Sequence, residues 1–185
     1  MAAIITGLTK LDVAEREIVA AVRLLFDGGD CVPVYVLAAA AREITTTLCE
    51  KRGIRSMFDG LDDAFPEKTR NEMYKWVHIH AAFFKHARTD PNGVLEGFEE
   101  DEAQAVLYIA CEDFCRLCSG GPFEIQAFSL WYAAMRGLIE PMPGPFVDQL
   151  RSIATKPRAV QLDMAKQLLA WIRAEPTLRR TYSTK

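Results

Sequence analysis

The chain has 185 residues, half of them apolar and a quarter charged, with a net charge of −3. A chain of this length buries about 70% of its unfolded surface, so neither a metal nor a disulfide is needed to hold it, and the composition is that of a soluble globular protein. The small negative balance gives no general attraction to nucleic acid or an anionic membrane, and no run of about eighteen apolar residues is available to span a bilayer.

The N-terminal stretch MAAIITGLTKLDVAE turns charged too early for a secretory signal. Thr9 is a good N-cap with Asp12 three residues on, close to a capping box, so a first helix starts there. Leu11, Ala14, Ile18, Ala21, Val22 and Leu25 recur at helical spacing along it. Asp27-Gly28-Gly29-Asp30 stops this helix and caps the next, which tolerates Pro33 in its first turn and runs to about Arg52 before Gly53. Its segment Val36 to Ala41 is so small that another helix can approach closely. Residues 54–65 read as a connection with a short helical turn capped by Ser56.

Pro66 opens a third helix, extended to about Arg88, with Met73, Trp76, Val77, His80, Ala81 and Phe84 as its apolar stripe. Asp90-Pro91-Asn92-Gly93 is a turn in which Pro fixes φ and Gly accepts a positive φ. A fourth helix starts near Glu99 with an acidic first turn suited to the helix dipole, and carries Val106, Ile109, Ala110, Phe114 and Leu117 inward. After Gly120-Gly121, Pro122 at the first helical position opens a fifth helix with Ile125, Phe128, Trp131, Tyr132 and Met135 inside. The stiff EPMPGP linker at 140–145 leads to two shorter helices near 146–154 and 158–173, the second with Leu162, Ala165, Leu168, Leu169 and Ile172 inside. The tail PTLRRTYSTK reads as loose. No alternating strand pattern competes. The expected fold is all-α, an antiparallel helical bundle over 1–139, with a Pro-rich linker and C-terminal helices over 140–185 that pack on the bundle or on a dimer partner.

All three histidines lie in the stretch YKWVHIHAAFFKHARTDPNG, residues 74–93. At about 100° per residue His78 and His80 point to nearly opposite sides, and no pair has the i, i+4 spacing that chelates a metal from one helix. His78 and His80 are therefore read as packed or solvated residues. His86 differs, because Lys85 and Arg88 flank it and Asp90 lies four residues on, placed to orient the imidazole if the helix continues that far. The plainer alternative is a solvated helix end whose cations suit the negative end of the dipole. Phe83 and Phe84 are adjacent and cannot face one core, so one of them is exposed or sits in a second contact, which favours a homodimer.

Cys111, Cys115 and Cys118 share one helical face, yet three thiolates on one helix do not converge easily on zinc, and small cysteines at core spacing are common. With Cys31 and Cys49 they make an odd number, which without a signal peptide predicts reduced thiols in the cytoplasm. No glycine-rich phosphate loop, nucleophile elbow or Ser-His-Asp order is present, and no cofactor is expected.

Ala14 to Gly53, with Ala41-Arg42-Glu43 and a late Lys51-Arg52-Gly53, together with FFKHARTDP, resembles the HEPN family of helical domains over about residues 9–137. His86 matches the family's motif His, whereas the Asn and Arg positions fall on Ala82 and Ala81. The segment also resembles uncharacterised bacterial proteins with a Phe-Phe-Lys-His-Ala core followed by Asp-Pro. The HEPN resemblance implies a dimerising bundle, often with two motif histidines at the interface, and metal-independent RNA cleavage with the His in acid-base chemistry. Losing the Arg removes the stabiliser of phosphate charge, and Lys85 or Arg88 would have to replace it.

Three functional expectations follow. The first is a dimeric module with a degenerate site of Lys85, His86, Arg88 and Asp90, binding a nucleotide, RNA or a protein partner without catalysis. The second is a ribonuclease of toxin or defence type using His86 with Lys85 or Arg88. The third is a metal-binding protein through Cys111 and Cys115.

Overall fold

The structure is a computed structural model that describes residues 6–64, 70–86, 88, 90–138 and 150–174, and of residues 61–64, 70, 71, 73, 74, 76, 77 and 79 the backbone alone. Its elements are α1 (Lys10–Phe26), α2 (Cys31–Lys51), α3 (Met57–Ala64), α4 (Arg70–Lys85), α5 (Glu100–Cys118), α6 (Phe123–Met135), a 3-10 turn (Ile153–Thr155) and α7 (Arg158–Ala174). No strand forms among the described residues, and the fold is an all-α helical bundle. No helix among them is long and apolar enough to cross a membrane.

Local chemistry fixes the first two helix starts. Asp12 donates its backbone N–H to the Thr9 hydroxyl at 3.1 Å, and the Asp12 carboxylate accepts the Thr9 N–H at 2.8 Å, a complete capping box. The Asp30 carboxylate accepts the Val32 N–H at 2.8 Å and starts α2. Between them Gly28 sits at φ 74°, a left-handed conformation that costs glycine nothing.

Packing follows from side-chain size. Ala38, Ala39 and Ala41 are fully buried, and this small face of α2 lets α5 lie close against it, with α1 and α4 also on α2. On the other side of the bundle Phe26 meets Trp131 edge-on, ring centroids 5.8 Å apart. The Trp131 indole donates to the Gln161 carbonyl at 3.1 Å, and α7 lays Ala165, Leu168 and Ile172 into the same core against α6. Arg158 stacks over the Trp131 ring and pairs with Glu100, which joins α7 to α5 as well.

Several expectations are corrected. Helix α4 ends at Lys85, short of the expected Arg88, and the His86 N–H just beyond it bonds to the Ala82 carbonyl at 2.9 Å. Its expected start at Pro66 lies outside the described residues, as do the side chains of Met73, Trp76 and Val77. Pro122 is the N-cap of α6 rather than its first helical residue. Of the helix expected near 146–154, residues up to 149 lie outside the description; Leu150 is helical, a turn follows at 151–152, and the 3-10 turn then occupies Ile153–Thr155. The linker 140–145 and the tail after 174 also lie outside it. Leu117, Met135, Leu162 and Leu169 are half-buried rather than inside. Ser56 does cap α3, its hydroxyl accepting the Asp59 N–H at 3.0 Å.

Two carboxylates in the core were not foreseen. Asp113 on α5 accepts the Thr46 hydroxyl at 2.8 Å and the Met57 N–H at 2.5 Å. One oxygen of Glu124 on α6 accepts from Arg23 on α1 and from Arg173 on α7, each at 2.7 Å.

Candidate functional site

The end of α4 carries two histidines inward before it presents the third. The His78 ring nitrogens lie 2.8 and 3.3 Å from the Arg42 guanidinium of α2, and Arg42 is itself buried. Burial, and then the Arg42 charge, push the His78 pKa down to about 4, so this imidazole is neutral near pH 7 and accepts from Arg42. His80 is buried against Tyr35, Phe84 and Phe98, with centroids 6.0, 6.2 and 5.1 Å away. Its Nδ1 lies 2.7 Å from a Glu102 oxygen, a contact at ion-pair distance that lacks the alignment of a hydrogen bond. Both rings have structural partners, as their expected packed reading requires.

His86 is exposed where the helix stops. Ala82, Phe83, His86, Arg88 and Asp90 line one open cavity of about 420 Å³. Phe83 is 36% exposed and forms its apolar wall, while Phe84 turns inward against Tyr35 at 5.4 Å. Asp90 does not orient the imidazole through a helical i, i+4 relation, since the helix has already ended. Its carboxylate instead lies over Gly93, whose N–H reaches the Asp90 carbonyl at 3.3 Å. A Cβ at Gly93 would overlap that carboxylate, so glycine is needed here for space; its φ is not in the left-handed region, contrary to expectation.

Lys85 parts company with the other three. It lines a separate hollow of about 380 Å³ with Lys10, Ala40, Glu43, Ile44, Thr47 and Leu48. One step along a helix turns a side chain by about 100°, which sends Lys85 toward α1 and α2. Sequence reasoning missed this hollow because its lining comes from three helices far apart in the chain, with no local motif to announce it. Among the described residues, the side chains of Lys85, His86 and Arg88 make no hydrogen bond or ion pair.

The cysteines grade from interior to surface: Cys111 is fully buried, Cys115 half-buried and Cys118 exposed. Burial pushes Cys111 well above the usual thiol range and Cys115 up to about 12. Among the described residues no three His, Cys, Asp or Glu side chains are grouped as a metal-ligand set.

No protein-family model, curated protein or solved structure matches the chain.

Proposed function

We propose that this chain is a helical binding module of HEPN-like type, a cytoplasmic homodimer that takes a nucleotide or a single-stranded RNA segment at the end of α4 without cleaving it. One observation carries the reading. An exposed aromatic, an imidazole, a guanidinium and a carboxylate, from Phe83, His86, Arg88 and Asp90, line a single cavity. A flat ring suits a base, the guanidinium suits a phosphate, and a carboxylate accepts from a ribose hydroxyl. The free state of all five thiols agrees with a reducing compartment, and the exposed Phe83 is a contact point for a second copy. Ala81 and Ala82 occupy the positions of the family's Arg and Asn, so the partners with which the family's His cleaves are not supplied from those two positions.

Fluorescence anisotropy with a short labelled oligouridine at low salt tests this. Saturable binding is expected, with Phe83→Ala and Arg88→Ala each weakening it by about 1–3 kcal/mol. Binding unchanged by both substitutions sinks the site. EDTA-resistant cleavage of the probe that disappears in His86→Ala would replace the binding module by the ribonuclease.

A further inference from the structure

The hollow beside Lys85 has an unusual charge pattern for its size. Ala40, Ile44 and Leu48 of α2 give it an apolar lining, with Thr47 beside them. Lys10, at the first turn of α1, and Lys85, at the last turn of α4, line it with Glu43. Lys10 sits against the dipole of its own helix, so local helix physics does not favour it there. Glu17, two turns on from Lys10 along α1, has a buried carboxylate oxygen without a hydrogen-bond partner. Glu17 is not among the residues that line the hollow; burial raises its carboxyl, and the Lys85 and Lys10 charges act against burial. Among the described residues, the side chains of Lys10, Glu17, Glu43 and Lys85 make no hydrogen bond or ion pair. Two cations and one anion, Lys10, Lys85 and Glu43, thus line one largely apolar hollow, and among the described residues none is paired with another.

We propose that this hollow binds a small zwitterion, a free α-amino acid with an aliphatic side chain, its carboxylate between Lys10 and Lys85, its ammonium on Glu43, and its side chain on Ala40, Ile44 and Leu48. The volume of about 380 Å³ falls at the small end of the roughly 300–1,000 Å³ usual for small-molecule sites. An anion alone would face Glu43, and a cation alone would face two lysines. Only a ligand with both charges satisfies both lysines and Glu43.

Titration calorimetry on the full chain with L-leucine, up to about 10 mM, decides the matter. Saturable heat is expected, with 4-methylpentanoate and 3-methylbutylamine, each keeping one charge, binding at least about tenfold more weakly. Lys85→Met and Glu43→Gln should each weaken leucine at least about tenfold, and Ile44→Trp should abolish it by filling the hollow. Lys10→Met gives the same answer if Lys85→Met fails to fold by circular dichroism. No heat with leucine overturns the proposal, and so does equal binding of the singly charged analogues. His86→Ala leaves leucine binding unchanged, so this site and the one at the end of α4 stand or fall separately.

Discussion

Asp113 caps a helix to which it does not belong. Its carboxylate, fully buried on α5, accepts the first backbone N–H of α3 from Met57 at 2.5 Å. The positive end of α3 and the Thr46 hydroxyl thereby take the place of solvent around the acid. Burial still dominates and raises the Asp113 pKa, with the Met57 and Thr46 bonds working against it. Asp113→Ala strands those two donors and is expected to cost about 2–3 kcal/mol in chemical denaturation. For an acid with a raised folded pKa, stability is complete below the unfolded value of 3.8 and falls as pH rises through the folded pKa. Asp113→Asn should therefore gain on the parent as pH rises above 3.8. A constant difference between the two across that range would show that the acid is ionised in both states alike.

Glu124 has the opposite sign. Burial alone would raise its carboxyl, but the hydrogen bonds from Arg23, from its own backbone N–H and from Arg173, with the Arg23 charge, together outweigh burial and hold it below the usual 4.5. Its contribution is present above pH 4.5 and is lost as pH falls through the folded pKa. The two arginines are 60% and 47% exposed at their side chains, so solvent screening limits the effect. Glu124→Gln should cost about 1 kcal/mol at neutral pH and converge on the parent in acid. Because the carboxylate joins α1, α6 and α7, hydrogen exchange in α7 should rise in this variant. Unaltered exchange there would mean that the apolar face of α7 holds it without the clamp.

These two residues also show where the sequence stops being legible. The starts of α1 and α2 were readable because Thr9 with Asp12, and Asp30 with Val32, settle them within four residues. The apolar stripes of α5 and α6 were readable because burial follows helical period. Asp113 and Glu124 occupy the same inward faces, yet what permits a charge there is a partner 67 residues away in Thr46 or 101 away in Arg23. No local pattern encodes such a partner. At the candidate site, His86, Arg88 and Asp90 share a cavity and lie close together in the sequence. Lys85 leaves the group through helical rotation, and the end of α4 was misplaced because cations fit both the last helical turn and the loop beyond it.

The histidines give a direct spectroscopic test. A proton NMR titration should show one imidazole, His78, with its midpoint near 4. This base has a lowered folded pKa, so its share of stability is present above the unfolded value of 6.5 and is lost as pH falls from there toward 4. Arg42→Met should move the His78 midpoint upward. A midpoint that stays near 4 in that variant would assign the whole shift to burial.

Thiol chemistry should follow the same grading as burial. In the native protein a maleimide is expected to label Cys118 ahead of Cys115, with Cys111 reacting only after unfolding. Mass spectrometry of the labelled peptide over time reads the order. Early labelling of Cys111 would reveal an opening of α5 away from its neighbours that the packed core does not suggest.

The two inward histidines have a practical corollary for the third. His78 is engaged by Arg42 and His80 is enclosed by three aromatic rings, while His86 alone among the three is exposed. An imidazole acylating reagent applied to the folded chain is therefore expected to modify His86 ahead of the other two histidines. Its rate at His86, followed as a candidate ligand is added, measures occupancy of the α4 cavity without any substitution in the protein.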